Sequence, residues 1–195
     1  MNDLFTMPAH TESRWASHEN PDALKGEGGK ARGGRKGSPW FTLKSGESHV
    51  LAHAENTSGV IRRIWITINQ QIPETLRGVK IEMFWDNCSK PAVSVPIGDF
   101  FCVGLGKTAT FKNAFFSSPE GRNFSCIIPM PFRKAMKIVV TNESSVDIKH
   151  FYYDVDFTVG DEIPENALYF HAYFNRQNKT TRLQDFELLP YIEGK

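Results

Sequence analysis

The chain has 195 residues, enough for one sandwich-sized domain or two small ones with an adequate core. Its formal net charge of +1 removes any global electrostatic argument for binding nucleic acid or a membrane surface. The 40% of apolar residues, fifteen of them Phe, can fill a core and still leave sheets with one wet face.

In chain order, the first distinctive stretch is aromatic and charged: Ser13-Arg14-Trp15-Ala16-Ser17-His18-Glu19-Asn20-Pro21. It runs into Gly26–Gly37, in which half the residues are glycine and Lys30, Arg32, Arg35 and Lys36 are cationic. Glycine weakens both helix and strand and has no side chain to bury, so this is a loop. Two readings fit the composition: a disordered N-terminal arm, or a backbone-rich cationic binding loop ahead of a β scaffold. Residues 1–39 are accordingly expected to form the arm and loop, and residues 40–195 a single domain with no internal linker.

From Trp40 onward, alternation dominates. In Val60–Ile68, Val60, Ile64, Ile66 and Ile68 share one face, with Ile61, Trp65 and Thr67 opposite. Ile81, Met83 and Trp85 alternate with Lys80, Glu82 and Phe84; Phe124–Ile128 and Met136–Val140 are short and apolar. Phe151, Tyr153, Val155 and Phe157 face away from His150, Tyr152, Asp154 and Asp156. Leu168, Phe170, Ala172 and Phe174 alternate with Tyr169, His171 and Tyr173. These last two segments are expected to pair as antiparallel neighbours. Turn residues punctuate the runs, and no stretch keeps a helical period for three turns. Eight or nine strands with scarce helix predict an all-β, antiparallel sandwich of jelly-roll type.

The local signals for chemistry are sparse. Gly104-Leu105-Gly106-Lys107-Thr108 resembles the end of a phosphate loop, but Phe101 stands where the motif needs glycine. His150, Asp154, Asp156 and His171 carry the metal-ligand chemistries on two strands expected to pair, though solvated faces are commoner. No metal or cofactor is expected. Cys88, Cys102 and Cys126 lack Cys-x-x-Cys spacing and are expected to be buried thiols. The sequons at Asn56, Asn87, Asn123, Asn142 and Asn178 are accidents of an Asn- and Ser-rich chain. No apolar run reaches the roughly 20 residues of a membrane span, and Met1-Asn2-Asp3-Leu4-Phe5 does not open a signal peptide. A soluble protein, cytoplasmic or periplasmic, is expected. Asp99, in Pro96-Ile97-Gly98-Asp99-Phe100-Phe101, is the best-placed carboxylate, following a short buried strand beside aromatics.

Taken in order, Glu19-Asn20-Pro21 with its glycine-basic loop, Ile61-Arg62-Arg63-Ile64-Trp65, Pro96-Ile97-Gly98-Asp99-Phe100-Phe101, Tyr152-Tyr153-Asp154-Val155-Asp156 and Leu168-Tyr169-Phe170-His171-Ala172-Tyr173 resemble glycoside hydrolase family 172. The resemblance implies an α-fructofuranoside or arabinofuranoside as substrate, two jelly rolls per subunit, and assembly as trimers or hexamers. It also implies a retaining mechanism with two glutamates in Gly-Glu-Gly-Asp and Gly-Thr-Glu-Asp type motifs. These would lie beyond Lys195, so the chain is expected to be the first jelly roll of a longer enzyme, inactive by itself. A non-catalytic carbohydrate-binding or capsid-like assembly module is the alternative.

No catalytic residue is therefore assigned, and the expected substrate-side residues are Trp15, Glu19, Asn20, Arg32, Arg35, Asp99 and Phe100. Trp15 would stack on a sugar, Glu19 accept from hydroxyls, and the arginines donate. The loop Trp15–Gly37 is expected to fold back beside Asp99. The expected partners are a furanoside and further copies of the chain, with neither nucleic acid nor membrane. An exposed face carrying Tyr169, His171 and Tyr173 would drive the association.

Overall fold

A computed structural model describes residues 8–35 and 37–193. Lys36 and the chain start read above for targeting lie outside the described residues. The elements are β1 (Glu12–Ser17), β2 (Phe41–Leu43), β3 (Ser48–Glu55), β4 (Gly59–Ile68), α1 (Pro73–Gly78), β5 (Val79–Trp85), β6 (Val93–Pro96), α2 (Ile97–Phe100), β7 (Phe111–Lys112), β8 (Phe116–Ser118), β9 (Phe124–Cys126), β10 (Met130–Phe132), β11 (Ala135–Asn142) and β12 (Ile148–Val159).

Two antiparallel sheets form the layers. One has the order β1-β12-β4-β9-β8-β7, with β10 also on β4 and β2 on β12; the other is β3-β11-β5-β6. The pairing is nested: β1 with β12, β3 with β11, β4 with β9, β5 with β6, all antiparallel. A long hairpin rolled up on itself gives this order, and it makes the sandwich a jelly roll. β1 contacts β3 across the two layers, so β6 and β9 lie at the other side of the sandwich.

The core follows from the alternation. Phe151, Tyr153, Val155 and Phe157 of β12 are buried against Ile64, Ile66 and Ile68 of β4, with Ile81, Met83 and Trp85 of β5 and Ile138 and Val140 of β11 in the facing sheet. Ile61 corrects the sequence reading: it is buried too. The register between β12 and β4 shifts at Asp156/Phe157, whose partners are Arg63 and Ile61. Arg62 is thus an extra residue on β4, and such a bulge returns Ile61 to the inner face. Among the thiols only Cys126 is buried. Cys88 hydrogen-bonds through its N–H to the Trp85 carbonyl in a surface turn, and Cys102 has φ of 65° just after α2, which leaves both exposed.

The second correction concerns Leu168–Phe174, which does not pair with β12. It runs as an irregular strap along the edge of the other sheet, with a parallel bridge between Ala172 and Val93. The Ala172 N–H donates to the Ala92 carbonyl (3.1 Å), and the Trp85 indole N–H donates to the Phe170 carbonyl (2.7 Å). Phe170, Ala172 and Phe174 pack on the core as the alternation implied, but Leu168 of the same set is exposed and Tyr169 of the opposite set packs inward. Upstream, the Arg133 guanidinium donates to the carbonyls of Ile163 (3.1 Å) and Pro164 (2.7 Å). Tyr169 is not part of a bare aromatic face: it is half-buried and its hydroxyl donates to Asp86. His171 and Tyr173 are exposed.

Candidate functional site

β1 is an edge strand whose alternation turns Ala16 into the core and Trp15 onto the outer face, in register with Asp156. A tight turn joins Ser17 to Asn20 through reciprocal backbone hydrogen bonds (3.3 and 3.0 Å). Asn20 is buried within it. Its side-chain amide donates to the carbonyls of Trp15 and Leu24, while its oxygen accepts from the Leu24 N–H at 3.0 Å. Those bonds make it the residue that starts the loop.

Glu19 closes the other end. Its Oε1 accepts from the backbone N–H groups of Gly37 (2.6 Å) and Ser38 (2.7 Å), tying the end of the glycine loop to its beginning. Within the loop, Gly28 lies on the Trp15 ring: a Cβ there would stand 3.1 Å from Cε3. The loop therefore folds back, but over β1 and β12. Lys30 pairs with Glu27 (2.7 Å), and Lys25 and Arg14 share Glu12 (3.1 and 2.6 Å). Arg32 and Arg35 are exposed and form no ion pair among the described residues, which leaves their donors free.

Between loop and sheet lies a cavity of about 310 Å³. Gly29, Gly34 and Pro39 line its loop side, Trp15, His18 and Glu19 its wall, and Trp65, Tyr152 and Asp154 of the outer face its floor. Burial pushes the Asp154 carboxyl above the usual carboxylate range, although the Trp15 indole and Arg63 pull it down. Asp156, on the same face, is engaged by Arg63 Nε at 2.6 Å. Burial also lowers His18, and lowers His49 behind it with help from His18. The Tyr153 hydroxyl, pushed up by burial, and His49 Nε2 are buried without a hydrogen-bond partner among the described residues. The site thus offers aromatic planes, a carboxyl that holds its proton more readily than usual, and loop amides.

Asp99 is elsewhere. It sits on α2, after β6, at the side of the sandwich away from β1. It shares a cavity with Phe116 of β8, and four strand positions, roughly 19 Å at ordinary spacing, separate β8 from β1. The expected placement of the loop beside Asp99 is thereby corrected: nested pairing sets β1 and α2 at opposite sides of the sandwich. Asp99 faces Arg77 Nε of α1 at 3.3 Å in an ion pair, and burial raises its carboxyl despite that partner. With Phe100, Phe116, Phe170 and Tyr173 it lines a second cavity of about 280 Å³, closed on one side by the strap. Phe100 is buried and packs edge-on against Phe101 (4.9 Å) and Phe116 (5.9 Å), as a core side chain rather than a free stacking plane.

The two weaker motifs also find their places. Lys107 and Thr108 lead into β7 rather than a helix, and Gly106 lies against Pro73. His150, Asp154 and Asp156 share the outer face of β12 while His171 lies on the strap, so the four do not converge; among the described residues no cluster of three or more His, Cys, Asp or Glu could hold a metal. The cavity residues Trp65, Tyr152 and Asp154 stood in the sequence as outward positions of their strands and as members of two motifs, without being assigned to the sugar side. What joins them to Trp15 is the β1–β12 pairing, for which the sequence carries no local signal.

A family model described as GH172 domain-like matches residues 37–155. The chain belongs to this family. The match starts at the glycine whose N–H bonds to Glu19 and ends within β12, so it covers the sandwich from β2 onward, while β1 and the loop precede it. A comparison with curated proteins finds no match. Membership in a GH172 domain-like family makes this a glycoside hydrolase-like jelly roll. No described helix is long and apolar enough to cross a membrane.

Proposed function

We propose that the chain is the carbohydrate-binding portion of a furanoside-acting glycoside hydrolase, and that the cavity beneath the glycine loop holds a fructofuranose or arabinofuranose ring. One observation carries this: Trp15, Trp65 and Tyr152 converge on a water-accessible cavity that also holds Asp154 and the loop backbone. A sugar needs apolar planes for its C–H faces and fixed polar groups for its hydroxyls, and pockets of a few hundred Å³ with few polar groups suit small ligands. In this reading Trp15 and Tyr152 supply the planes, Asp154 a hydroxyl partner, and Arg32 and Arg35, exposed on the loop, further donors. Glu19 and Asn20 shape the loop rather than touch the sugar.

Isothermal titration with methyl arabinofuranoside and methyl fructofuranoside tests the proposal. Binding of one of them, weakened at least tenfold by Trp15→Ala or Asp154→Asn with melting unchanged, supports it. Equal affinity in the variants contradicts it.

A second reading concerns assembly. In the C-terminal stretch Leu183, Leu188 and Tyr191 stand 99%, 78% and 88% exposed. So much apolar surface on one irregular segment supports contact with other copies of the chain, a trimer being the arrangement the family resemblance suggests.

A further inference from the structure

Beyond the cavity, the outer face of β12 continues as a row of rings. Tyr152, part of the cavity floor, has its ring 5.7 Å from Trp40 and lies stacked over His150 at 6.5 Å and 24°. Trp40 meets His150 edge-on at 5.4 Å. Trp40 is 41% exposed and His150 is exposed, so the row is open to solvent where it leaves the cavity. Pro39, at the cavity rim, is the residue before Trp40, and the row and the cavity are therefore one continuous surface.

We propose that this row is an extended subsite for a linear furanoside oligosaccharide, with the terminal ring in the cavity against Tyr152 and the following rings on Trp40 and His150. The proposal rests on the sugar-binding reading of the cavity and adds the size of the ligand. Two features favour a sugar chain over a protein. First, β12 and β4 turn His150, Tyr152, Asp154, Trp65 and Thr67 outward here, with no Leu, Ile or Val among them. The most exposed aliphatic side chains lie off this row, at Leu105 and on the C-terminal stretch at Leu183 and Leu188. Second, the ring row leads straight into a cavity edged by carboxylates, so an apolar track and a polar end share one direction, as a sugar chain with one end held requires. A globular partner has no such need for a dead end.

The test compares a methyl arabinofuranoside with the linear arabinofuranotriose, and the equivalent fructofuranosyl pair, on the wild type, Trp40→Ala and His150→Ala, each checked by thermal melting. The expected result is a trisaccharide bound roughly tenfold or more tighter than the methyl glycoside, with Trp40→Ala erasing most of that gap and leaving the methyl glycoside unchanged. Equal affinity for the two lengths, or a gap that Trp40→Ala leaves intact, overturns the extended subsite while the cavity reading stands. Binding of neither length overturns both. A Trp40→Ala variant that changes sedimentation but not sugar affinity makes the row a subunit contact and likewise overturns it.

Discussion

Glu19 holds Gly37: its carboxylate accepts the Gly37 N–H at 2.6 Å and, through the same oxygen, that of Ser38 at 2.7 Å. The glycine-rich stretch between them would otherwise cost conformational entropy with little side-chain burial to offset it. One acceptor fixing both ends of the loop turns an arm into the roof of a cavity.

Glu19→Ala should release that roof. Lys25, Lys30, Arg32 and Arg35 are trypsin sites within the loop, and cleavage there should quicken several-fold. The loss of a charged acceptor for two amides is worth about 1–3 kcal/mol locally. Glu19→Gln keeps a carbonyl acceptor and should fall between. Mass spectrometry of timed digests reads the outcome, and equal cleavage in all three proteins would remove Glu19 from this role.

Gly28→Val should push on the Trp15 indole, because even a Cβ stands 3.1 Å from Cε3. Global melting should change little for a surface loop. Trp15 emission and sugar affinity should both fall. A variant with wild-type affinity would show that loop and ring adapt independently.

Acidification should free the strap. Burial pushes the Asp86 carboxyl up, but the Tyr169 hydroxyl and the amides of Lys134, Ala135 and Arg133 outweigh it and hold Asp86 below the usual carboxylate range. A depressed carboxylate contributes stability above its unfolded value, near 4, and loses it as pH falls through the folded value. The melting difference between wild type and Asp86→Asn should therefore be present at pH 7 and shrink below about pH 4. Trp85, bonded to the strap at Phe170, supplies a fluorescence signal for the same event. A difference independent of pH would contradict the assignment.

The isolated chain should not hydrolyse aryl arabinofuranosides or fructofuranosides. The retaining route needs two carboxyls about 5–5.5 Å apart across the scissile bond. Of the two carboxylates in the cavity, Glu19 is committed to loop amides. Turnover in a chromogenic assay would overturn this and make Asp154 the first residue to replace.

Much of the fold was legible because burial on one face of a strand leaves a period of two. The inward set Phe151, Tyr153, Val155 and Phe157 is the clearest case. The same pattern at Leu168–Phe174 misled about pairing, since an irregular strap can bury Phe170, Ala172 and Phe174 along a sheet edge while exposing Leu168 and turning Tyr169 inward. Ile61 was misplaced because a bulge adds one residue and leaves no mark in composition. At the site, residue chemistry singled out Trp15 and the glycine loop, which the structure places on one cavity. Glu19 and Asn20 were picked as ligand groups; the structure adds that Glu19 Oε1 and the Asn20 amide also bond backbone groups of the loop, which the sequence does not show. Asp99 was joined to the loop although the rolled hairpin separates them.

The central claim, that a sugar sits between the glycine loop and the outer face of β12, is tested most directly by the four indole N–H resonances of Trp15, Trp40, Trp65 and Trp85 during titration with a furanoside. Trp15 and Trp65 line the cavity, whereas Trp85 is buried and bonded to Phe170 at the other sheet's edge. The account predicts saturable shifts at Trp15 and Trp65 with Trp85 unmoved. Shifts confined to Trp85, or none at any indole while binding is seen by calorimetry, would place the sugar elsewhere and contradict it.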